Sequence, residues 1–108
     1  MKIYVDIDET ICSKVDDGNY SEAKPIHENI IKINRLYDAG HEITYWSGRG
    51  SGTKLNWKKV TEKQFLEWRV KYHHIILGEK PVFDLLIDDR VININDITEE
   101  KLSDIIGK

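Results

Sequence analysis

Residues 2–10 read Lys-Ile-Tyr-Val-Asp-Ile-Asp-Glu-Thr, which is a pattern typical of a strand that ends in carboxylates. Ile3, Val5 and Ile7 share one face, as in a short, buried central strand. Asp6 and Asp8 are two residues apart, so their side chains point the same way at the carboxyl end, where open α/β sheets bind ligands. Two adjacent carboxylates repel each other unless a cation or a shared proton lies between them. The stretch predicts a divalent-metal site with a nucleophile or base beside it; a solvated loop is the alternative.

Composition limits the class of protein. The chain has 108 residues, a net charge of −3 and an ordinary share of hydrophobic residues, which favours a single domain over residues 1–108 and gives no general sign of nucleic-acid binding. Cys12 is the only cysteine and has no partner for an internal disulfide, so we expect a cytoplasmic, reducing environment. No apolar run is long enough to span a membrane, and the first strand leaves no room for a signal peptide.

The first half of the chain predicts a flap, a helix and a second strand. Asp17-Gly18 is a hairpin signal, so residues 11–24 are predicted to form a β-hairpin flap above the two aspartates, with a plain loop as the alternative. Apolar residues at helical spacing follow Pro25, and Gly40 ends that helix. Residues 41–46 are predicted to form the second strand, parallel to the first, which would place Ser47 at the same sheet edge as Asp6.

The second half adds further polar groups at strand ends. The loop at 48–53 fits neither a Walker A nor a dinucleotide motif. A helix is predicted over 60–72 and strands over 74–77, 83–87 and 91–94, followed by a helix over 98–106. Lys80 precedes the strand at 83–87, and Asp88-Asp89 follows it. The pattern predicts an α/β fold around a mostly parallel sheet.

Taken in order, Asp-x-Asp-x-Thr at 6–10, Ser-Gly-Arg at 47–49, Lys-Pro at 80–81 and Ile-Asp-Asp-Arg at 87–90 resemble the haloacid dehalogenase superfamily of phosphatases and phosphotransferases. The likeness covers essentially the whole chain. It implies a three-layer, Rossmann-like fold with a flap after the first strand. Glu9 departs from the glycine that many members carry at this position.

The resemblance implies a role for each residue. Asp6 would be the nucleophile that forms an aspartyl-phosphate, and Asp8 would protonate the leaving oxygen and then activate water. Mg²⁺ would be held by the Asp6 carboxylate, the Asp8 backbone carbonyl, Asp88 and, directly or through water, Asp89.

Ser47 would bind a phosphoryl oxygen and Lys80 would balance charge. The candidate substrate-binding residues are Thr10, which is expected mainly to tie the loop, Gly48 and Arg49, which either contacts phosphate or pins its loop.

The short flap and the short segment between Ser47 and Lys80 leave no room for the cap domain that many members carry. A capless site is open, so the substrate is large or a neighbouring subunit covers the site, and a homo-oligomer is one expectation. Compact phosphatases of capsule and surface-polysaccharide biosynthesis are similar in size and layout. A sugar phosphate or a similar small phosphorylated metabolite is therefore the first substrate prediction.

The loops at 47–53 and 87–90 also resemble the phosphatase domain of phage polynucleotide kinase, which removes 3′-phosphates. Residues 54–71 hold six basic residues against two acidic ones, and a basic helix beside the site would guide a polyanion; a solvated helix face is the alternative. Trp57 either packs or stacks on a base. A nucleic-acid 3′-phosphate end is therefore the second substrate prediction.

The histidine pair and the function of the whole chain each have other interpretations. His73 and His74 are adjacent on a strand and face opposite ways, so we interpret them as structural and not as a metal pair. A two-component receiver domain uses similar residues, but its contiguous acidic pair follows the first strand, whereas here that pair comes last. A non-catalytic phospho-accepting or scaffold domain is the remaining alternative to a phosphatase.

Overall fold

The structure is a computed structural model, and it describes residues 1–16, 18–50 and 56–108. Asp17, one half of the predicted hairpin turn, lies outside the described residues. So do residues 51–55, which include half of the loop at 48–53 and the first lysine of the basic segment.

Three parallel strands form the sheet, in the order β1 (Lys2–Asp6), β2 (Glu42–Ser47) and β3 (His74–Leu77). Asp6 is level with Trp46, and Ser47 is level with Leu77, so the carboxyl ends of the three strands meet at one edge. The α/β class with a mostly parallel, Rossmann-like sheet is confirmed.

The helices are α1 (His27–Asp38), α2 (Lys58–Glu67) and α3 (Glu99–Ile106). Ile30, Ile33 and Leu36 are buried on the inner face of α1. Gly40 follows the helix with a φ of 99°, a conformation that glycine adopts without strain. Helix α2 is shorter than predicted, because the chain takes a positive φ at Arg69. Thr98 caps α3 by accepting a hydrogen bond from the Lys101 N–H at 3.2 Å. Within the described ranges, no helix is long and apolar enough to cross a membrane.

The core lies against one face of the sheet. The buried sheet residues Val5, Ile43 and Tyr45 alternate along their strands and pack with the inner faces of the helices. The opposite face carries Tyr4 and Trp46, whose rings meet edge to face at 5.6 Å. One face of the sheet therefore packs against the core, and the candidate site residues lie at the carboxyl edge of the sheet.

The strands predicted at 83–87 and 91–94 are wrong. Residues 81–93, called the arm below, contain no strand, and every one of them is exposed. The sheet therefore ends at β1, which pairs with β2 alone among the residues that the structure describes. The prediction of a buried central strand is wrong here, because β1 lies at the edge of the described sheet and is partly exposed. The chain resumes packing at a 3₁₀ turn, Ile94–Asp96, and at the buried Ile97.

The flap is present as a loop closed at its base, and the described part of it is not a hairpin. The Ser13 N–H donates to the Lys24 carbonyl at 2.8 Å, and the Ile26 N–H donates to the Ile11 carbonyl at 2.8 Å. Between these contacts lies a 3₁₀ turn, Tyr20–Glu22, instead of a second strand. The hairpin prediction over 11–24 is therefore wrong in its strands, although the excursion begins and ends at the predicted place.

Candidate active site at the carboxyl edge of the sheet

A tight turn after β1 presents the two aspartates. Ile7 is fully buried between them, and its carbonyl accepts hydrogen bonds from the N–H groups of Thr10 and Ile11 at 3.2 and 2.9 Å. Glu9 has a φ of 66°, a left-handed conformation that is energetically unfavourable for a residue with a Cβ. The departure from glycine at this position is thus accommodated with backbone strain.

Asp6 meets the predicted lysine. Lys80 Nζ lies 3.0 Å from Asp6 Oδ1, and the Thr10 hydroxyl donates a long hydrogen bond of 3.4 Å to Asp6 Oδ2. The Lys80 ammonium also lies over the rings of Trp46 and Phe83, 5.8 and 5.2 Å from their centroids. Thr10 is tied into the turn, because its carbonyl accepts a hydrogen bond of 2.8 Å from the Asn29 side chain. The predicted nucleophile and the predicted charge-balancing group are therefore neighbours.

Asp8 is held by Arg49. The Nε and terminal NH2 groups of the guanidinium donate to the Asp8 carboxylate at 3.1 and 2.9 Å, a two-pronged contact that fixes the plane of the carboxylate. The Arg49 side chain has no solvent exposure, whereas about a quarter of the Asp8 side chain remains exposed. Asp8 thus has a fixed direction and an accessible edge.

Arg49 also binds helix α2, through residues that sequence reasoning missed. Its terminal NH1 donates to Thr61 Oγ1 at 3.0 Å and to Gln64 Oε1 at 2.7 Å, and its NH2 reaches Cys12 Sγ at 3.6 Å. With Asp8, these contacts use all five guanidinium N–H donors. The structure therefore favours the interpretation of Arg49 as the residue that pins the loop, and leaves it no donor for a substrate phosphate.

A signal for Thr61 and Gln64 exists in the sequence. The stripe of Phe65 and Trp68, followed back at helical spacing, arrives at these two polar residues, and both are buried. Buried polar side chains require partners, so their position predicts a polar group facing α2. The Gln64 amide also donates to the Tyr20 carbonyl at 2.6 Å, which links α2 to the flap.

Ser47 is part of the same network. Its hydroxyl donates to Asp8 Oδ2 at 3.3 Å and accepts a hydrogen bond from the Arg49 N–H at 3.0 Å. With 2% of its surface exposed, Ser47 orients Asp8 in this structure, and its predicted contact to a phosphoryl oxygen stays a prediction. Gly48 lies half-buried between Ser47 and Arg49, beside the predicted site.

Cys12 packs beneath Asp8. Burial, together with the negative charge of Asp8, raises the pKa of its thiol to about 12. The thiol stays protonated at neutral pH and donates weakly to Asp8 Oδ1 at 3.6 Å. Its place among Asp8 and Arg49 makes it a packing residue of the site.

The chain does not bring Asp88 and Asp89 to the other two aspartates. Both lie exposed in the arm, where Asp88 accepts a hydrogen bond of 2.9 Å from the Arg90 N–H, and that bond is the main cause that lowers the pKa of Asp88. Asp89 lies 3.6 Å from the Arg90 side chain. Over the described ranges, no three His, Cys, Asp or Glu side chains cluster as metal ligands. The predicted Mg²⁺ ligand set is therefore incomplete within one described chain.

The remaining candidates have structural partners. His73 stacks on Tyr37 at 4.7 Å and accepts a hydrogen bond from the Ile43 N–H, while His74 faces Glu42 at 3.4 Å, in agreement with their interpretation as structural residues. Trp57 meets Tyr20 of the flap edge to face at 5.2 Å.

Comparisons with known proteins define the fold alone. No family model matches the chain, and no curated protein matches it. The crystal structure of a structural-genomics target from Vibrio cholerae is similar, with a TM-score of 0.79 and 18% sequence identity, over 98% of this chain and 96% of the other. The chain is thus an α/β protein whose fold has a counterpart over nearly all of its length.

Proposed function

We propose that this protein is a phosphomonoester hydrolase that works through an aspartyl-phosphate on Asp6. The contact between Lys80 Nζ and Asp6 Oδ1, 3.0 Å long, carries the proposal. It places a cation beside a partly exposed carboxylate, next to a second carboxylate whose direction is fixed by Arg49. A dianionic substrate needs a positive group at the attacked phosphorus, because the carboxylate and the phosphate repel each other.

The residues support a two-step reaction. An Asp6 oxygen attacks phosphorus while the bond to the leaving oxygen breaks, and Asp8 gives that oxygen a proton. Water then attacks the aspartyl-phosphate, Asp8 takes its proton, and inorganic phosphate leaves with Asp6 regenerated. The Lys80 ammonium holds the phosphoryl oxygens near Asp6, and Arg49 holds Asp8 in the direction from which it exchanges the proton.

Mg²⁺ belongs to the proposal as the cation that would reduce the charge on the phosphate. Its predicted ligands are divided between the sheet edge and the arm, so no step is assigned to it within one chain. A reducing, cytoplasmic location is also part of the proposal, since Cys12 is a free, buried thiol.

A sugar phosphate or similar small metabolite is the first substrate class, because the chain is similar in size and layout to compact phosphatases of capsule and surface-polysaccharide biosynthesis. A nucleic-acid 3′-phosphate end is the second class. It is supported by Lys58, Lys59 and Lys63, which are exposed on α2 next to the Tyr20–Trp57 pair. A polyanion bound there would show a steep salt dependence, whereas a small metabolite would show a shallow one.

The test is release of phosphate from an aryl phosphate in the presence of Mg²⁺, followed by trapping of the acyl phosphate with hydroxylamine. Wild-type protein is expected to turn over and to be trapped, whereas Asp6→Asn does neither. Asp104→Asn, an exposed carboxylate on α3, is the matched control and keeps full activity. Wild-type protein without turnover, or equal turnover by Asp6→Asn, would support the scaffold alternative and end the proposal.

A further inference from the structure

The arm is an exposed and largely apolar surface. Seven of its thirteen residues are large and apolar, and all of them are exposed, among them Val82 at 92% and Ile87 at 86%. A single chain gains nothing from presenting such a run to water, and exposed apolar runs of this size mark association surfaces. The arm also carries the two carboxylates, Asp88 and Asp89, that the sheet edge lacks.

The sheet offers a matching place. Strand β1 pairs with β2 on one side, and on its other side no strand is found within the described ranges. Tyr4 in the middle of β1 is more than half exposed. An open edge of this kind accepts a further strand, and a strand parallel to β1 would end at the edge that holds Asp6 and Asp8.

The arm of the same chain is too short to fill that place. The Gly78 N–H bonds the Ser47 carbonyl at 2.9 Å, which fixes Gly78 at the carboxyl end of the sheet. A strand on the open side of β1 would be three strand spacings, about 14 Å, from β3. For Asp88 to be level with Asp6, Phe83 would have to lie about 16 Å from that level, toward the amino ends of the strands. The straight path is then about 21 Å, whereas the five residues from Gly78 to Phe83 span at most about 18 Å.

We propose that a second copy of this chain fills the open edge. The arm of one protomer pairs with β1 of its partner, in parallel, and the partner's arm does the same in return, which gives a closed two-fold dimer. Both ends of the arm stay anchored on their own protomer, through Lys80 at Asp6 and through the buried Ile97. The exchange is therefore a mutual insertion of loops, and it covers the apolar residues of both arms.

The same exchange completes the acidic site. When Asp88 is level with Asp6 of the partner subunit, Leu86 lies opposite Tyr4 of the partner subunit, and Asp88 and Asp89 stand at the partner's carboxyl edge. Oxygen ligands from two protomers then surround one position, as a Mg²⁺ site requires. This part of the inference rests on the proposed function, whereas the strand pairing does not.

Strand pairing is tested by cross-linking, which needs no activity. Chains with Tyr4→Cys and with Leu86→Cys are co-expressed and treated with a mild oxidant. We expect a disulfide-linked product of two chains, each of 12.6 kDa. Tyr4→Cys with Leu66→Cys, an exposed position on α2, is the control and is expected to give no product. A monomer in sedimentation, or no product from the first pair, would overturn the exchange.

The shared site is tested by complementation. Asp6→Asn and Asp88→Asn are each expected to be inactive, whereas their co-expression yields about a quarter of wild-type activity, because half of the dimers are mixed and each holds one intact site. Activity that stays absent in the mixture, or a fully active Asp88→Asn, would overturn the shared site. Wild-type protein without any turnover would end the proposed function and leave the cross-link to decide the pairing.

Discussion

The two acidic motifs of this chain meet opposite environments. Asp6 and Asp8 follow a strand that is paired in the sheet, and they are bound by Lys80, Ser47 and Arg49. Asp88 and Asp89 follow a run of equally apolar residues, yet that run is exposed from end to end. The difference shows that a strand-like sequence becomes a strand only where the chain can carry it to an open edge.

The contrast extends to energetics. The first region is a network in which a guanidinium with no solvent exposure uses every donor. The arm contributes no buried residue to its own chain. Substitutions in the network should therefore lower the stability of a single protomer, whereas substitutions in the arm should act on association.

Arg49→Ala should have the largest effect. It removes the partner of Asp8 and leaves the buried Thr61 and Gln64 side chains without their donor, which we expect to cost about 3 kcal/mol or more in the free energy of unfolding. Urea denaturation measures this loss. Arg35→Ala removes a solvent-exposed pair with Glu99 and is the control, with an expected cost below about 1 kcal/mol. Equal losses for the two variants would contradict the central role of Arg49.

Glu9→Gly should have a smaller effect of opposite sign. Glycine relieves the strain of the positive φ but gains conformational freedom in the unfolded chain, so the expected gain lies between zero and about 1 kcal/mol. Thermal unfolding measures it. Glu79→Gly is the control, because Glu79 has no positive φ, and it should lose stability. A loss at Glu9 as large as that at Glu79 would show that the turn after β1 is not strained.

The sequence was sufficient for what local patterns decide. The strand at 74–77 was predicted with the observed bounds, and α3 was predicted to within one residue, because alternation and capping residues are local signals. Ser47 was predicted to lie at the sheet edge that holds Asp6, since parallel strands end at one edge, and its hydroxyl bonds Asp8 there. The resemblance implied that Lys80 would balance charge at the site, and Lys80 lies 3.0 Å from Asp6. The role of Arg49 was left open, because its partners on α2 come from a helix that follows it in the chain.

The strands at 83–87 and 91–94 could not be decided in the same way. Their residues have the composition of strands, but their place in the sheet depends on the distance that the chain must cross after β3. Such a distance is a property of the assembled sheet, so periodicity does not reveal it. The hairpin prediction for the flap was also wrong. The base of the flap is paired, but its middle forms a 3₁₀ turn in place of a second strand.

Substitutions in the arm should have the smallest effect on the stability of a single protomer. They test most directly whether the arm, unlike the Asp6 and Asp8 region, acts in association. Leu85→Asp with Ile87→Asp changes two exposed side chains, so the stability at high dilution should stay within about 0.5 kcal/mol of wild type. If a second copy covers the arm, the wild-type unfolding midpoint rises with protein concentration, because association favours the folded chain.

The double variant should lose that concentration dependence, because two charges replace the apolar residues that would be covered. Urea unfolding over a hundredfold range of protein concentration measures both quantities at once. Lys58→Asp with Lys63→Asp, on exposed positions of α2, is the matched control and should keep the dependence. A wild-type midpoint independent of concentration would mean that the arm stays in water, and the two acidic motifs would then belong to different surfaces.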